Sequence, residues 1–262
     1  LLASACVDDG SGAQADDDGE NGPTSLEPID AVGSPPTSTP PETVPPTSAE
    51  RDTGADIAAT ASLEDADCRF EPPAERTTRC WDLVVPSDRS ELDAGEVRIH
   101  VALVASVATR PEPDPVVVLG GGPGIGMLET LRFGFEDRYA GILERRAVVV
   151  FDPRGVGASQ PRLSCPEVAL VDGRLRSIVE GRQAEAQQLT EATGECARRL
   201  RSEGARTEDF STSALVDDVE ALRVTLGVEQ INLVATSYGT SQALAVTERR
   251  PDTVRSVVLD SA

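Results

Sequence analysis

The sequence predicts an α/β protein with a mostly parallel sheet that helices cover on both faces. Two short apolar segments, Pro115–Leu119 and Ala147–Phe151, read as buried strands, and each ends directly in a glycine-rich loop. Helix-forming segments alternate with these strands, and that alternation is typical of parallel sheets. A further apolar run from Ile231 stops at Ser237 and passes at once into a helix-forming segment. These three observations define the fold class.

The remaining elements follow from periodicity. Cys80–Val85 and Val97–Ser106 are apolar or alternating, so they predict an antiparallel opening pair of strands joined by the polar loop Pro86–Glu96. The other predicted elements are helices over Met127–Leu143, 180–203, Ser213–Leu226 and Ser241–Arg250, and a final strand over Val254–Leu259.

Residues 7–66 differ from the rest of the chain in composition and predict a disordered acidic linker rich in Pro, Ser, Thr and Gly. Residues 7–67 hold 15 of the 45 acidic residues and one of the 24 basic ones. Such a segment cannot bury enough apolar surface to offset its ordering entropy. The predicted folded domain is therefore 67–262. Nothing in the composition suggests nucleic-acid binding, which needs a basic face. All the basic residues are arginine, and this excludes lysine chemistry.

The first six residues, L-L-A-S-A-C, are typical of the end of a bacterial lipoprotein signal. Small residues precede Cys6, which would carry the lipid, and the linker would then hold the domain away from a membrane. Residues 1–6 are accordingly predicted to be a signal remnant of an exported, surface-anchored protein. The alternative is an ordinary small-residue segment with an incidental cysteine.

Ser237 is the candidate nucleophile. The stretch A-T-S-Y-G-T places it between a strand and a helix, with the small residues Ala235 and Gly239 two positions before and after it. A tight turn needs such small neighbours, and the helix N-terminus behind the hydroxyl favours a developing anion. The alternative is a strand-to-helix turn without catalysis, because the first glycine of G-x-S-x-G is replaced by Ala235.

The loop G-G-G-P-G at 120–124 leaves backbone amides unobstructed, which suits a phosphate or an oxyanion. A Walker loop needs lysine, and no register supplies a dinucleotide fingerprint. We therefore predict an oxyanion hole formed by the amides of Gly122 and Tyr238, with Gly121 and Gly239 in support. The glycines could instead only permit a crowded crossing. No cofactor is expected.

A second loop, D-P-R-G-V-G-A-S at 152–159, is predicted to support the site rather than transfer protons. Its glycines let the loop fold back, and Asp152 and Arg154 can pair to hold it.

The cysteines other than Cys6 lie in two local pairs. Cys68 with Cys80, and Cys165 with Cys196, would each close a loop as a disulfide in an exported protein. The alternative is buried free thiols. With no C-x-x-C and a single histidine, no metal site is predicted.

Together, the three motifs in this order resemble the α/β-hydrolase fold, in particular the exported bacterial serine peptidases of the prolyl and tripeptidyl aminopeptidase type. V-V-V-L-G-G-G-P-G is similar to the family's oxyanion loop, V-V-F-D-P-R-G-V-G-A-S-Q-P to its D-x-R-G-x-G-x-S loop, and A-T-S-Y-G-T to its nucleophile turn. The likeness runs from about Cys68 to Ala262. It implies acyl-enzyme chemistry at Ser237 on a peptide or small ester.

The resemblance also implies a catalytic acid and histidine beyond Ala262, so this chain would be the N-terminal half of the hydrolase domain, inert alone and able to pair with a missing C-terminal half. His100 lies on an early strand and is not expected to be the base, since the fold orders serine, acid and histidine along the chain. Asp260 closes a strand, and the family places its acid later. The rival functions are a carboxylesterase and a non-catalytic surface lipoprotein.

Overall fold

The computed structural model describes residues 54–74, 76–169 and 182–262. The predicted signal remnant at 1–6 and the linker up to residue 53 lie outside the described residues.

Seven strands form one mixed sheet in the spatial order β1-β2-β3-β5-β4-β6-β7. The first three strands and the β3–β5 contact are antiparallel, whereas β5, β4, β6 and β7 run parallel to one another. The strands are β1 Ser62–Asp65, β2 Thr78–Asp88, β3 Glu91–Val104, β4 Val116–Leu119, β5 Val148–Phe151, β6 Ile231–Thr236 and β7 Val254–Asp260. The predicted mostly parallel sheet with antiparallel N-terminal strands is confirmed.

Helices cover both faces of the sheet. They are α1 Gly54–Ala59, α2 Phe135–Leu143, α3 Arg182–Ser202, α4 Thr212–Thr225 and α5 Tyr238–Arg249, with 3-10 turns at Leu128–Arg132 and Thr207–Asp209. The predicted single helix over Met127–Leu143 is interrupted at Gly134, which has φ 65°. A left-handed residue ends one helical run and starts the next.

Alternate residues of the central strands enter two separate cores. Val117 and Val149 pack on the face that α4 and α5 cover, together with Val216 and Val246. Val118, Val148 and Val150 pack on the opposite face with Phe135, Tyr139 and Leu143 of α2. All residues of β4 and β5 are buried. This explains why their sequences run apolar without alternation.

The predicted domain boundary at residue 66/67 is wrong for 54–66. Strand β1 pairs antiparallel with β2, from Ser62 opposite Val84 to Asp65 opposite Trp81. Ile57 of α1 is 1% exposed and joins the core that includes Leu222. Backbone pairing to a sheet edge depends little on composition, and one buried isoleucine anchors the helix, so an acidic segment can still fold onto the sheet.

The opening hairpin is also tighter than predicted. Strands β2 and β3 extend through most of the predicted loop Pro86–Glu96, and Asp88 pairs with Glu91. A register shift between Pro86 and Asp88 accommodates the proline, which removes one ladder hydrogen bond.

Candidate active site

Ser237 stands at the turn between β6 and α5. Its backbone has φ 52° and ψ −120°, a conformation that is uncommon and strained for any residue other than glycine. Local hydrogen bonds hold it there: the Ser237 amide donates to the Asp260 carbonyl at 2.9 Å, and the Ser237 carbonyl accepts from the Thr240 amide at 2.9 Å. The residue is solvent-exposed. The predicted strand-to-helix turn is therefore present, with the serine at its apex.

The packing around position 239 leaves room only for glycine. A Cβ atom there would overlap the Leu119 carbonyl oxygen and lie 2.7 Å from the Gly120 carbonyl oxygen. These are backbone atoms at the end of β4, which cannot move aside as a flexible side chain can. Ala235, where the family pattern has glycine, is fully buried. The first turn of α5 thus packs directly on the end of β4 and on Gly120 only because residue 239 has no side chain.

The glycine-rich loop lies beside Ser237. Strands β4 and β6 are parallel neighbours, with Leu119 opposite Ala235, so both end at the same edge of the sheet. A Cβ on Gly121 would be 3.4 Å from the Ser237 Cβ and 3.9 Å from its Oγ. Gly122 is exposed and has φ 126°. Of the predicted loop residues, Gly121 is the one that faces the serine side chain, while the donor roles of the Gly122 and Tyr238 amides stay predictions.

A small open cavity of about 120 Å³ adjoins this turn. Its wall comes from the glycine-rich loop, the 152–159 loop, the start of α4 and the first turn of α5. Met127, Phe210 and Leu215 supply apolar surface, and Tyr238 and Gln242 supply polar atoms. The cavity could hold part of a substrate next to Ser237.

Asp152 ties the second loop to the first. Its buried carboxylate accepts hydrogen bonds from the Leu128 amide at 3.0 Å and the Ala158 amide at 2.8 Å. A Cβ on Gly157 would overlap this carboxylate, and Gly157 has φ 57°. Asp152 therefore braces the segment after the glycine-rich loop. The predicted pair between Asp152 and Arg154 is wrong, because each side chain has other partners.

Arg154 pairs instead with Asp218 of α4. Its Nε and Nη2 each donate to this carboxylate at 2.7 Å, and its Nη1 donates to the carbonyls of Ser87 and Asp209 at 3.0 and 2.6 Å. Arg89 also contacts Asp218, at 2.8 Å. Burial alone would lower the pKa of Arg154, but the charge of Asp218 outweighs it and raises the pKa above its usual value.

Asp218 holds the 152–159 loop through Arg154, and it was not among the residues predicted from the sequence. Asp217 and Asp218 interrupt the apolar face of α4, between Val216 and Val219. An acid on the buried face of a helix indicates a buried cation nearby. This signal could have directed attention to Arg154.

His100, the sole histidine of the sequence, is engaged elsewhere. It is fully buried; its Nδ1 lies 2.9 Å from Asp82 Oδ1, and its Nε2 accepts the Arg69 amide at 3.2 Å. The proton therefore sits on Nδ1 and faces the carboxylate. Burial opposes ionisation of Asp82, but hydrogen bonds from Arg69 and His100 outweigh it and lower the pKa of Asp82. Both ring nitrogens have partners, so His100 serves this structural cluster.

Asp260 ends β7 in an exposed position. Its backbone carbonyl accepts the Ser237 amide, and its carboxylate accepts the Ser261 hydroxyl at 3.0 Å. It therefore supports the turn through its backbone.

Both predicted disulfides are confirmed, Cys68 with Cys80 and Cys165 with Cys196. They are consistent with an exported protein. Within the described ranges, the one acidic or thiol cluster of metal-site geometry is Cys165, Glu167 and Cys196. Its two sulfurs are already bonded to each other, which removes them as thiolate ligands. None of the helices among the described residues is both long and apolar enough to cross a bilayer.

The sequence around this site is similar to that of a known protein family. Residues 114–262 match the sequence profile of the α/β-hydrolase fold. The chain therefore belongs to the α/β-hydrolase family.

The similar proteins include three bacterial peptidases. Serine protease Hip1 of Mycobacterium tuberculosis is 31% identical over 70% of this chain and 35% of its own length. Tripeptidyl aminopeptidase of Streptomyces coelicolor is 27% identical over 78% and 38%, and proline iminopeptidase of Xylella fastidiosa is 29% identical over 57% and 33%. The chain spans about a third of the length of these curated relatives.

Proposed function

We propose that the protein is a serine hydrolase, an exported aminopeptidase of the prolyl or tripeptidyl type, which forms an acyl-enzyme at Ser237. The observation that carries this proposal is the strained backbone of Ser237, φ 52° and ψ −120°, at an exposed turn beside Gly121. A protein keeps such a conformation only where the surrounding structure enforces it, and these sites cluster where strain serves function. The three peptidase names among the relatives support the substrate class.

In this mechanism, the Ser237 hydroxyl attacks a carbonyl carbon of a peptide bound in the adjoining cavity. The negative charge that develops on the carbonyl oxygen would be stabilised by the amides of Gly122 and Tyr238, as the sequence predicts, and by the N-terminus of α5. The C–N bond then breaks, the amine leaves with a proton, and water releases the acyl group.

The proton transfers need a general base. His100 is occupied by Asp82 and the Arg69 amide, so the base and its acid would come from polypeptide beyond these 262 residues. Without them, the Ser237 hydroxyl is not activated. We therefore expect the isolated chain to be nearly inert and a longer product, or a complementing C-terminal half, to be active.

The cellular setting is also a proposal. Two disulfides and a cysteine at position 6 support an exported protein held by lipid at Cys6. Metabolic labelling with an alkyne fatty acid should then mark the wild type and leave Cys6→Ser unmarked. Equal labelling of both proteins would contradict the anchor.

A fluorophosphonate probe tests the proposed nucleophile. The complete protein should form a covalent adduct at Ser237, located by peptide mass spectrometry, and Ser237→Ala should form none. Ser241→Ala is the matched control, because Ser241 lies one turn into α5 and its hydroxyl donates to the Tyr238 carbonyl at 2.8 Å. An adduct at another serine, or none on a folded complete protein, would contradict the proposal.

A second candidate is a non-catalytic surface protein that uses the cavity for binding. The engagement of the sole histidine in a structural cluster favours it. The same probe separates the two, since a binding protein would remain unlabelled while folded. A comparison of an aminoacyl anilide with a short-chain acyl ester separates the aminopeptidase from a carboxylesterase.

A further inference from the structure

Met127, the only methionine of the sequence, packs against the glycine-rich loop. A Cβ on Gly120 would overlap the Met127 Sδ and Cγ and lie 3.1 Å from its Cε. The thioether thus fills the space beside Gly120 that a side chain there would need. Gly121, the next residue, faces Ser237. Met127 therefore contacts the loop at Gly120, and the adjacent Gly121 lies beside the candidate nucleophile.

The backbone of Met127 has little freedom to retreat. Its carbonyl accepts the Thr130 amide at 3.0 Å and the Thr130 hydroxyl at 2.6 Å. The amide of the following residue, Leu128, donates to the buried Asp152. A larger side chain at position 127 would therefore push against the loop at Gly120 or extend into the cavity.

Solvent-borne reagents can reach the side chain. Met127 is only partly buried and lines the open cavity beside Ser237. An exposed thioether reacts with hydrogen peroxide, which transfers one oxygen atom to sulfur and leaves water. The sulfur is oxidised to the sulfoxide, and peroxide is reduced.

We propose that Met127 is an oxidative modification site, and that its conversion to the sulfoxide by peroxide displaces the glycine-rich loop from Ser237. The sulfoxide is polar and larger than the thioether, and it sits where an apolar group now packs on Gly120. Gly120, Gly121 and Gly122 have no side chains that could rearrange to compensate. The effect on catalysis rests on the proposed function, whereas the oxidation and the loop displacement do not.

The experiment treats the complete protein with millimolar hydrogen peroxide and compares each protein with its own untreated sample. Three versions are used: the wild type, Met127→Leu, and Met127→Leu with Leu92→Met. Within residues 1–262, the last version carries its single methionine at an exposed position of β3, where Leu92 is 59% accessible, so it reports methionine oxidation away from the site. Peptide mass spectrometry measures the sulfoxide.

Two readouts follow the loop. Amide hydrogen exchange over 120–126 should accelerate after peroxide in the wild type alone. The rate of fluorophosphonate labelling at Ser237 should fall on the order of 100-fold in the wild type alone, because misplacement by about 1 Å has effects of that size.

The proposal is overturned if Met127 stays reduced while Leu92→Met is oxidised. It is equally overturned if the Met127 sulfoxide forms and neither exchange nor labelling changes. If the untreated protein is never labelled, the proposed function fails, and hydrogen exchange alone then decides the oxidation inference.

Discussion

The two ends of the parallel strands are held by different means. At the end where Ser237 lies, backbone packs on backbone: Gly239 rests against the Leu119 and Gly120 carbonyls, and Gly121 faces the serine. At the opposite end, Asp114 is 4% exposed and accepts hydrogen bonds from Asn232, Arg146 and Arg255. The Ser237 end therefore depends on the absence of side chains at these contacts, and the other end depends on charge.

This difference determines which changes each end tolerates. The stabilisation from an ion pair is lost gradually as its carboxylate is protonated. An atom added to a filled space destabilises the fold at every pH, because it overlaps its neighbours. The site end also contains one charge cluster, Arg154 with Asp218, which fixes the 152–159 loop to α4. Three substitutions, one at each kind of contact, test the comparison.

The largest effect is expected from Gly239→Ala. The new Cβ would overlap backbone that cannot move aside, so the free energy of unfolding should fall by about 3 kcal/mol or more. Urea unfolding followed by circular dichroism measures it, and loss of soluble folded protein is the same result in its extreme form.

The matched control is Gly141→Ala in α2. A Cβ there meets no atom within 4 Å, and alanine favours a helix over glycine, so stability should rise by about 0.5–1 kcal/mol. If Gly239→Ala were as stable as Gly141→Ala, packing of backbone on backbone would not define the site end.

The next effect is expected from Asp218→Asn. This change removes the carboxylate that directly contacts the buried guanidinium groups of Arg154 and Arg89, which should lower stability by roughly 3 kcal/mol. Asp217→Asn is the neighbouring control. Its partners Arg249 and Arg250 lie at 3.1 and 3.5 Å, farther than the Asp218 contacts, so we expect a smaller loss of about 1 kcal/mol. Equal losses in the two variants would show that the buried cluster does not hold the loop.

The smallest effect concerns pH at the other end. Burial opposes ionisation of Asp114, but the hydrogen bonds from Asn232 and Arg146 outweigh it and lower its pKa from 3.8 to about 2. The unfolded chain therefore binds this proton more readily than the folded one. The carboxylate contributes about 2 kcal/mol above pH 3.8, and that contribution is lost as pH falls toward 2.

Unfolding of the wild type and of Asp114→Asn should be compared across this pH range. The stability difference between the two proteins should shrink as pH falls from about 4 to about 2. A difference that stays constant or grows would show that Asp114 is not held ionised by its partners.

The sequence predicted the elements whose determinants are local. Val116–Leu119 and Val148–Phe151 are uniformly apolar, and the turn at Ser237 is marked by a change from apolar to helix-forming residues within three positions. The two disulfides were predictable because the four cysteines fall into two local pairs along the chain. The placement of the serine turn and the glycine-rich loop at the same edge of the sheet also follows, because parallel strands all end at one edge.

The sequence did not predict the features that depend on distant partners. Arg154 contacts Asp218 across 64 positions, and nearby Asp152 offered a simpler partner that the loop geometry excludes. Residues 54–65 join the sheet through backbone pairing and the burial of Ile57, which composition does not reveal. The contact between Met127 and Gly120 depends on how the connection after β4 folds back on itself.

The most direct test of the central claim is a crystal structure of the complete protein after reaction with a fluorophosphonate. We expect phosphorus bonded to the Ser237 Oγ and the phosphonyl oxygen within hydrogen-bond distance of the Gly122 and Tyr238 amides. An unmodified Ser237, or a phosphonyl oxygen directed away from the glycine-rich loop, would contradict the account.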